Sequence, residues 1–265
     1  MKTIRLAYIG TRYNGFQYQP DAPTVEGILK KYFGSFKYLS RLDSGVSALY
    51  QLIKVREHKL NLNKINQLLP SDIVLLAYSQ TNISFKDDVK GKVYLYMVPK
   101  PWVKDKGLFL KALNLFKGEH DFDCFRKRNK EDENTICKIY DIRIIERPMF
   151  YYVFIFGNRF LWNMVRRIVG TAINASKGLV SIKDIELALD EQRPCKVYTA
   201  PPEFLILYKV VFNKKVVWTP LEAGWKIENV FNSIFEKLLY VKYGLLLKKE
   251  FEKIQKDFEQ YFKNP

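Results

Sequence analysis

Lys92-Val93-Tyr94-Leu95-Tyr96-Met97-Val98 sets Val93, Leu95 and Met97 on one side and Tyr94, Tyr96 and Val98 on the other, the two-residue period of a β-strand. The stretch that follows, Pro99-Lys100-Pro101-Trp102-Val103-Lys104-Asp105-Lys106-Gly107, carries two prolines and a shift in composition. It marks the connection between two halves of the chain. Toward the N-terminus, residues 2 to 9 alternate Ile4, Leu6 and Tyr8 against Thr3, Arg5 and Ala7, the pattern of a half-buried strand. Thr24 then precedes Val25, Ile28, Leu29, Tyr32 and Phe33, a spacing that predicts an amphipathic helix with a threonine N-cap. Further strands are expected over 48–56 and 73–79.

The second half repeats the mixture. Its patterns predict a helix over 107–117, strands over 137–146 and 150–157, a helix over 160–176, a short helix over 182–191 and a strand over 204–213. Ser181 and Asp184 resemble a capping box for the short helix. Two further helical patterns, rich in Lys, Glu and Phe, occupy 221–263. Strand pairs joined over short loops favour antiparallel sheet with helices packed on one face. The expectation is an α+β chain divided into residues 1–100, 101–214 and a helical extension at 215–265.

Forty-four Lys and Arg against 28 Asp and Glu leave a formal charge of +16, which points to a polyanionic partner, nucleic acid first. A solvated surface in a lysine-rich proteome is the alternative for such a total; only the arrangement of the charges decides. Cys124, Cys137 and Cys195 lack metal-ligand spacing, and His58 and His120 are the chain's two histidines, so neither a zinc site nor a disulfide framework is expected. No apolar run approaches the roughly 18 residues needed to span a bilayer, and the start alternates in polarity where a signal peptide is continuous. A cytoplasmic protein without a membrane partner is the expectation.

Ser40-Arg41-Leu42-Asp43-Ser44-Gly45-Val46-Ser47-Ala48 lies just before a predicted strand, among small and turn-forming residues. Taken alone, Asp43 before Ser44 and Gly45 is more often a turn aspartate than a reactive one. On a helical wheel of 160–176, Asn163, Arg167, Gly170 and Asn174 form a polar stripe, and Arg166 is flanked by Trp162, Val169 and Ile173. A guanidinium against apolar surface invites a carboxylate, although a snorkelling Arg166, or Arg167 in its place, fits the pattern too. Tyr94 reads as a cross-strand tyrosine or as a stacking platform.

Six segments in order resemble the TruA family of tRNA pseudouridine synthases. They are Tyr8, Gly10, Thr11, Tyr13, Gly15, Phe16 and Gln17 with Pro23-Thr24-Val25-Glu26-Gly27; the 40–48 loop; Lys92-Val93-Tyr94-Leu95-Tyr96; Gly118, His120, Asp121, Phe122 and Phe125; Phe160 to Gly170; and Ala200-Pro201-Pro202 with Leu205. Together they span roughly residues 4–212, and any one alone is a weak signal. Leu42 stands for the family's threonine, Ser47 for its histidine and Glu203-Phe204 for a glycine step, while the early position of Asp43 resembles archaeal members.

The resemblance implies two RRM-like halves whose antiparallel sheets join across a central cleft. It implies isomerisation of uridine to pseudouridine in the anticodon arm of tRNA, at positions 38 to 40, by a homodimer whose bound tRNAs bridge two subunits. Asp43 becomes the attacking carboxylate, Arg166 its partner and Tyr94 the platform under the target base. Arg41 fills the space that the extruded base leaves, and Phe16, Gln17, Arg126, Arg128 and Arg167 join it as RNA-contacting candidates. The reaction breaks the bond from ribose C1′ to N1, turns the uracil and rejoins it through C5, with no group gained or lost, so no cofactor or metal is called for. Extrusion is required because C1′ is out of reach in a stacked nucleotide. His120 and Asp121 are read as structural or RNA-contacting. A noncatalytic RNA-binding protein is the main alternative, and a glycoside hydrolase ranks behind it because Asp43 lacks a second carboxylate.

Overall fold

The computed structural model of the protein describes residues 1–56, 60–128, 134–190 and 196–222, together with 226 and 230. Its strands are β1 (Lys2–Tyr8), β2 (Lys37–Tyr38), β3 (Ser47–Val55), β4 (Ile73–Ser79), β5 (Val89–Pro99), β6 (Gly118–Asp121), β7 (Ile136–Glu146), β8 (Phe150–Gly157), β9 (Leu205–Phe212) and β10 (Thr219–Pro220). The helices are α1 (Val25–Phe33), α2 (Leu62–Leu68), α3 (Lys106–Leu115), α4 (Met164–Ser176) and α5 (Ile182–Asp190). The class is α+β, as expected. The strands form one sheet in the order β10-β4-β1-β3-β9-β5-β8-β7-β6, with β2 paired to β3.

Every pairing in that sheet is antiparallel except β3 with β9, which run parallel through Ser47↔Ile206 and Ala48↔Leu207. That exception positions the site. Two parallel strands begin at the same end, so the loop before β3, which holds Asp43, and the segment before β9, which holds Ala200 to Phe204, emerge side by side. The ring of Pro202 lies so near Gly45 that an added Cβ there would sit 3.1 Å from it.

Strand β5, which chain order puts in the 1–100 segment, pairs with β8 on one edge and β9 on the other. In the sheet it stands among the strands of 101–214. Residues 215–222 contain no helix, and Thr219–Pro220 among them form β10, which pairs with β4. The helical patterns of 221–263 lie outside the described residues apart from Leu221, Glu222, Lys226 and Val230. Of those, Lys226 is buried and donates through Nζ to the carbonyls of Asn66 and Leu69 (2.7 Å to Leu69) at the end of α2.

The helix starts follow the capping residues. Thr24 Oγ1 accepts from Gly27 N at 3.2 Å at the head of α1, and Asp105 Oδ1 accepts from Leu108 N at 2.9 Å at the head of α3. Ser181 and Asp184 make the reciprocal pair expected of a capping box, at 3.0 and 3.3 Å. Helix α2 escaped the sequence reading because it is two turns long, though Asn61 caps it. Among the described residues no helix is long and apolar enough to cross a membrane.

The helix predicted over 160–176 begins four residues late. Asn163 holds a left-handed conformation at φ 61°, which asparagine tolerates better than most residues, and the carbonyl of Trp162 accepts from Lys127 N at 2.8 Å rather than starting the helix. Trp162 therefore leaves the helical surface on which the wheel placed it. Gly170, read as part of a polar stripe, is buried instead: a Cβ there would sit 2.3 Å from Tyr198 O and 2.8 Å from Ala200 N. Those atoms are backbone and cannot swing aside. Gly170→Ala is expected to cost about 1–3 kcal/mol, the range for an overpacked site, read as a lower urea midpoint at unchanged slope; wild-type stability would show that the crossing of α4 over 198–200 is looser than described.

Candidate active site

The loop carrying Asp43 is built from the inside. Gln51, fully buried on β3, clamps Ser40 from both sides: its Oε1 accepts from Ser40 N at 3.2 Å and its Nε2 donates to Ser40 O at 2.6 Å. The segment 10–17 braces the other end, with Phe16 N donating to Leu42 O at 3.0 Å and Gly45 N to Tyr13 O at 3.3 Å. Gly15, at φ 95°, passes so close that a Cβ would lie 2.8 Å from Leu42 O, a place only glycine fills without strain. Ser47, where the family carries histidine, accepts from Gly10 N through Oγ at 3.0 Å. Leu42 is buried and serves the brace through its carbonyl.

Asp43 is a turn residue and a site residue at once. Its carbonyl accepts from Val46 N at 3.2 Å across a turn in which Gly45 holds φ 84°, while its carboxylate points away. Oδ2 accepts from Arg166 Nη1 at 3.1 Å and Oδ1 from Trp162 Nε1 at 3.0 Å. The Asp43 and Arg166 side chains keep 24% and 15% of their surface exposed, so the pair is shielded but open to a ligand. Each carboxylate oxygen retains a second acceptor site.

Arg166 is fixed by three further contacts. Its Nε donates to Ala200 O at 2.8 Å, its Nη1 also donates to Asn163 Oδ1 at 2.9 Å, and its own carbonyl accepts from Ala200 N at 3.0 Å. Between Arg166 and Arg167, the structure places Arg166 on Asp43; Arg167 turns away and donates to the carbonyl of Arg126.

Tyr94 stands nearby, 6% exposed, with Phe160 edge-on at 4.9 Å between ring centres. Burial pushes its phenol pKa well up and the charge of Asp43 adds to the rise, so the hydroxyl stays protonated at neutral pH. Fully buried Tyr8 beneath is shifted upward by burial, with Tyr94 and Asp43 contributing. Asp43, Tyr94 and Arg166 all line one cavity of about 910 Å³, together with Gln17, Arg41, Lys92, Lys127 and Trp162.

The remaining predicted residues divide. Arg41 and Gln17 are exposed on the cavity. Phe16 is not on it: the ring is fully buried, 4.8 Å from Tyr38 and 6.0 Å from Tyr8, because its backbone is held between Leu42 and Glu26 and turns the side chain inward. Arg126, 10% exposed, is committed to Asp123 at 2.8 Å, and the exposed Arg128 reaches the same carboxylate at 2.7 Å. Arg126-Lys127-Arg128-Asn129-Lys130 is the densest basic run of the chain, and from it Lys127 enters the cavity, its ammonium 4.2 Å from the centre of the Trp162 ring. Asn129 and Lys130 lie outside the described residues. His120 Nε2 lies 2.9 Å from Lys117 O and Asp121 Oδ1 accepts from Asp123 N at 2.9 Å, local contacts that shape the turn. Trp162 and Lys92 were missed as cavity residues; a lone lysine inside the apolar and aromatic run 91–98 was the available signal for the latter.

The sequence profile of a family described as tRNA pseudouridine synthase matches residues 112–213. A protein named tRNA pseudouridine synthase A from Methanothermobacter thermautotrophicus is 34% identical over 226 residues, covering 80% of this chain and 82% of that protein. The protein of the same name from Methanopyrus kandleri is 34% identical with 80% and 86% covered. That from Thermococcus sibiricus is 34% identical with 89% and 94% covered.

Because Gln51 satisfies both backbone groups of Ser40 in a buried place, Gln51→Leu is expected to cost about 2 kcal/mol or more, the penalty for orphaned buried polar groups. Urea unfolding reads the loss, and faster amide exchange at Ser40 locates it; unchanged exchange there would show that the loop does not rely on the clamp.

Proposed function

The chain belongs to the tRNA pseudouridine synthase family, and from that premise we propose that it acts on the anticodon arm of tRNA, at uridines among positions 38 to 40, with Asp43 as the attacking carboxylate. The observation that carries this reading is the pairing of Asp43 with Arg166 and Trp162 on the wall of a cavity that also holds Tyr94.

The target nucleotide swings out of the RNA stack into the cavity, since its C1′ is otherwise covered by neighbouring bases. Asp43 then acts at the ribose, either by adding to C1′ or by removing a proton from C2′; both routes release uracil from N1 and need an ionised oxygen held at one place. Arg166 and Trp162 supply that placement by donating to different oxygens, so the carboxylate cannot rotate freely. Such fixed donors do not have to reorganise as charge moves, which is where preorganised sites gain most of their rate. The uracil turns on the face of Tyr94, where base stacking is worth about 1–3 kcal/mol, and rejoins through C5. The proton lost from C5 is balanced by the one gained at N1, so atoms and electrons close without a co-reactant.

Arg41, on the rim before Asp43, occupies the space vacated by the extruded base. Gln17, Lys127 and Arg128 contact the phosphate backbone, which positions RNA without reading its sequence. The active assembly is a homodimer, each tRNA bridging two subunits.

Incubating unmodified tRNA with the full chain and mapping pseudouridine at single-nucleotide resolution is expected to give product only among positions 38 to 40; product elsewhere, or none, overturns the assignment. In the same assay Arg166→Lys keeps the charge but cannot reach Asp43, Asn163 and Ala200 together. Its turnover is expected to fall by about 100-fold, the scale of losing a preorganised donor, at tRNA affinity within about threefold of wild type as expected for a residue that acts after binding.

A further inference from the structure

One group on the cavity wall has no place in the reaction as described. Lys92 projects from β5 on the same face as Tyr94, two residues and about 7 Å along the strand, and lines the same cavity. Its strand neighbours offer it nothing ionic: Gly157 of β8 and Val210 of β9 are its register partners. Among the described residues no hydrogen bond or ion pair satisfies its ammonium, and the charge that acts on it most is another cation, Arg159, just beyond β8. Around the cavity the other ionisable groups are Arg41 and Asp43 before β3, Lys127 between β6 and β7, Arg166 on α4 and Tyr94 on β5 itself. The one carboxylate among them is already engaged by Arg166 and Trp162.

Half-buried on the cavity wall, the amine gives up part of its hydration without gaining a carboxylate there. Lys92, set on one cavity wall with the cations Arg41 and Lys127, contributes to a receptor for an anion. A neutral uracil oxygen cannot balance them, whereas a phosphodiester, with two nonbridging oxygens and a full negative charge, can. We propose that Lys92 is an anion subsite that binds a backbone phosphate flanking the target uridine, fixing the ribose while Asp43 acts on it. The inference rests on the RNA-modifying reading above and names the part of the RNA that this side chain holds. A base stacked on Tyr94 leaves its own backbone within reach of the four-carbon lysine arm.

The charge state follows. Burial, with Arg159 adding to it, pulls the Lys92 pKa down to about 8. A bound phosphate favours the ammonium and raises that pKa. Affinity is therefore full below about pH 8 and falls as the pH rises through that value, because the free protein must then take up a proton to bind.

The test measures tRNA binding by the full chain from pH 6.5 to 9.5 at fixed salt, for wild type, Lys92→Arg and Lys92→Met, with thermal melts confirming that each is folded. Wild type is expected to weaken about tenfold across the upper range, the scale of one charge-assisted contact. Lys92→Arg, whose charge persists, holds its affinity, and Lys92→Met binds about tenfold more weakly at pH 7 with no loss above pH 8. A tRNA carrying a methylphosphonate on either side of the target uridine locates the contact: at one of the two sites wild type should lose about tenfold and Lys92→Met nothing further. Additive losses at both sites would overturn the proposal, as would a Lys92→Met that binds like wild type but turns over slowly, since the amine would then act on the base. A wild-type chain that makes no pseudouridine in tRNA would instead remove the function on which the inference rests, a distinguishable failure.

Discussion

A single ion pair organises the molecule around its cavity. Arg166 Nη1 and Asp43 Oδ2 meet at 3.1 Å across 123 residues of sequence, and three structural conditions must hold at once for them to do so. The loop before β3 must be held by Gln51 and by the 10–17 segment. The parallel step between β3 and β9 must bring residues 200–204 beside that loop. The left-handed turn at Asn163 must let Trp162 fall toward Asp43 while Arg166 stays on the first turn of α4. Ala200 links the last two conditions, because its carbonyl and amide bind the side chain and main chain of Arg166. A half-shielded pair of this kind contributes little to stability when isolated; its value is in placing a carboxylate.

The rest of the cavity makes sense around that pair. Tyr94 and Phe160 give it an aromatic wall, and Lys92, Arg41 and Lys127 give it positive charge at separate points. The net charge of +16 said nothing about arrangement, but the cavity lining does: the cations come from β5, from the Asp43 loop and from the β6–β7 connection, elements far apart in sequence. In a member of the pseudouridine synthase family, this is the arrangement that the proposed function requires: a backbone tracked at several points around the carboxylate of Asp43.

Much of this was legible before any coordinates. The caps at Thr24 and at Ser181 with Asp184, and the alternation over 2–9 and 92–98, are local signals and appear as read. Asp43, Tyr94 and Arg166 could be named only because six segments resembled one family; by itself each pattern also fitted a turn, a cross-strand tyrosine or a snorkelling arginine, and Asp43 proves to make a turn as well. What stayed hidden depended on distant partners. Asn163 looks helical until Lys127 takes the Trp162 carbonyl, Gly170 looks polar until Tyr198 crosses it, and Phe16 looks available until Leu42 and Glu26 turn it inward. Arg126 was a phosphate candidate until Asp123, three residues earlier, claimed it.

The central claim is that the carboxylate of Asp43 does chemistry on a uridine rather than closing a turn. Because rejoining uracil through C5 expels the hydrogen there, tRNA labelled with tritium at uridine C5 reports the reaction as radioactivity in water. Asp43→Asn keeps the shape and the turn but removes the charge. Under single turnover, wild type should release tritium in step with pseudouridine, and Asp43→Asn should bind the same tRNA with similar affinity and release none above background. Release by Asp43→Asn at a rate near that of wild type would contradict the assignment.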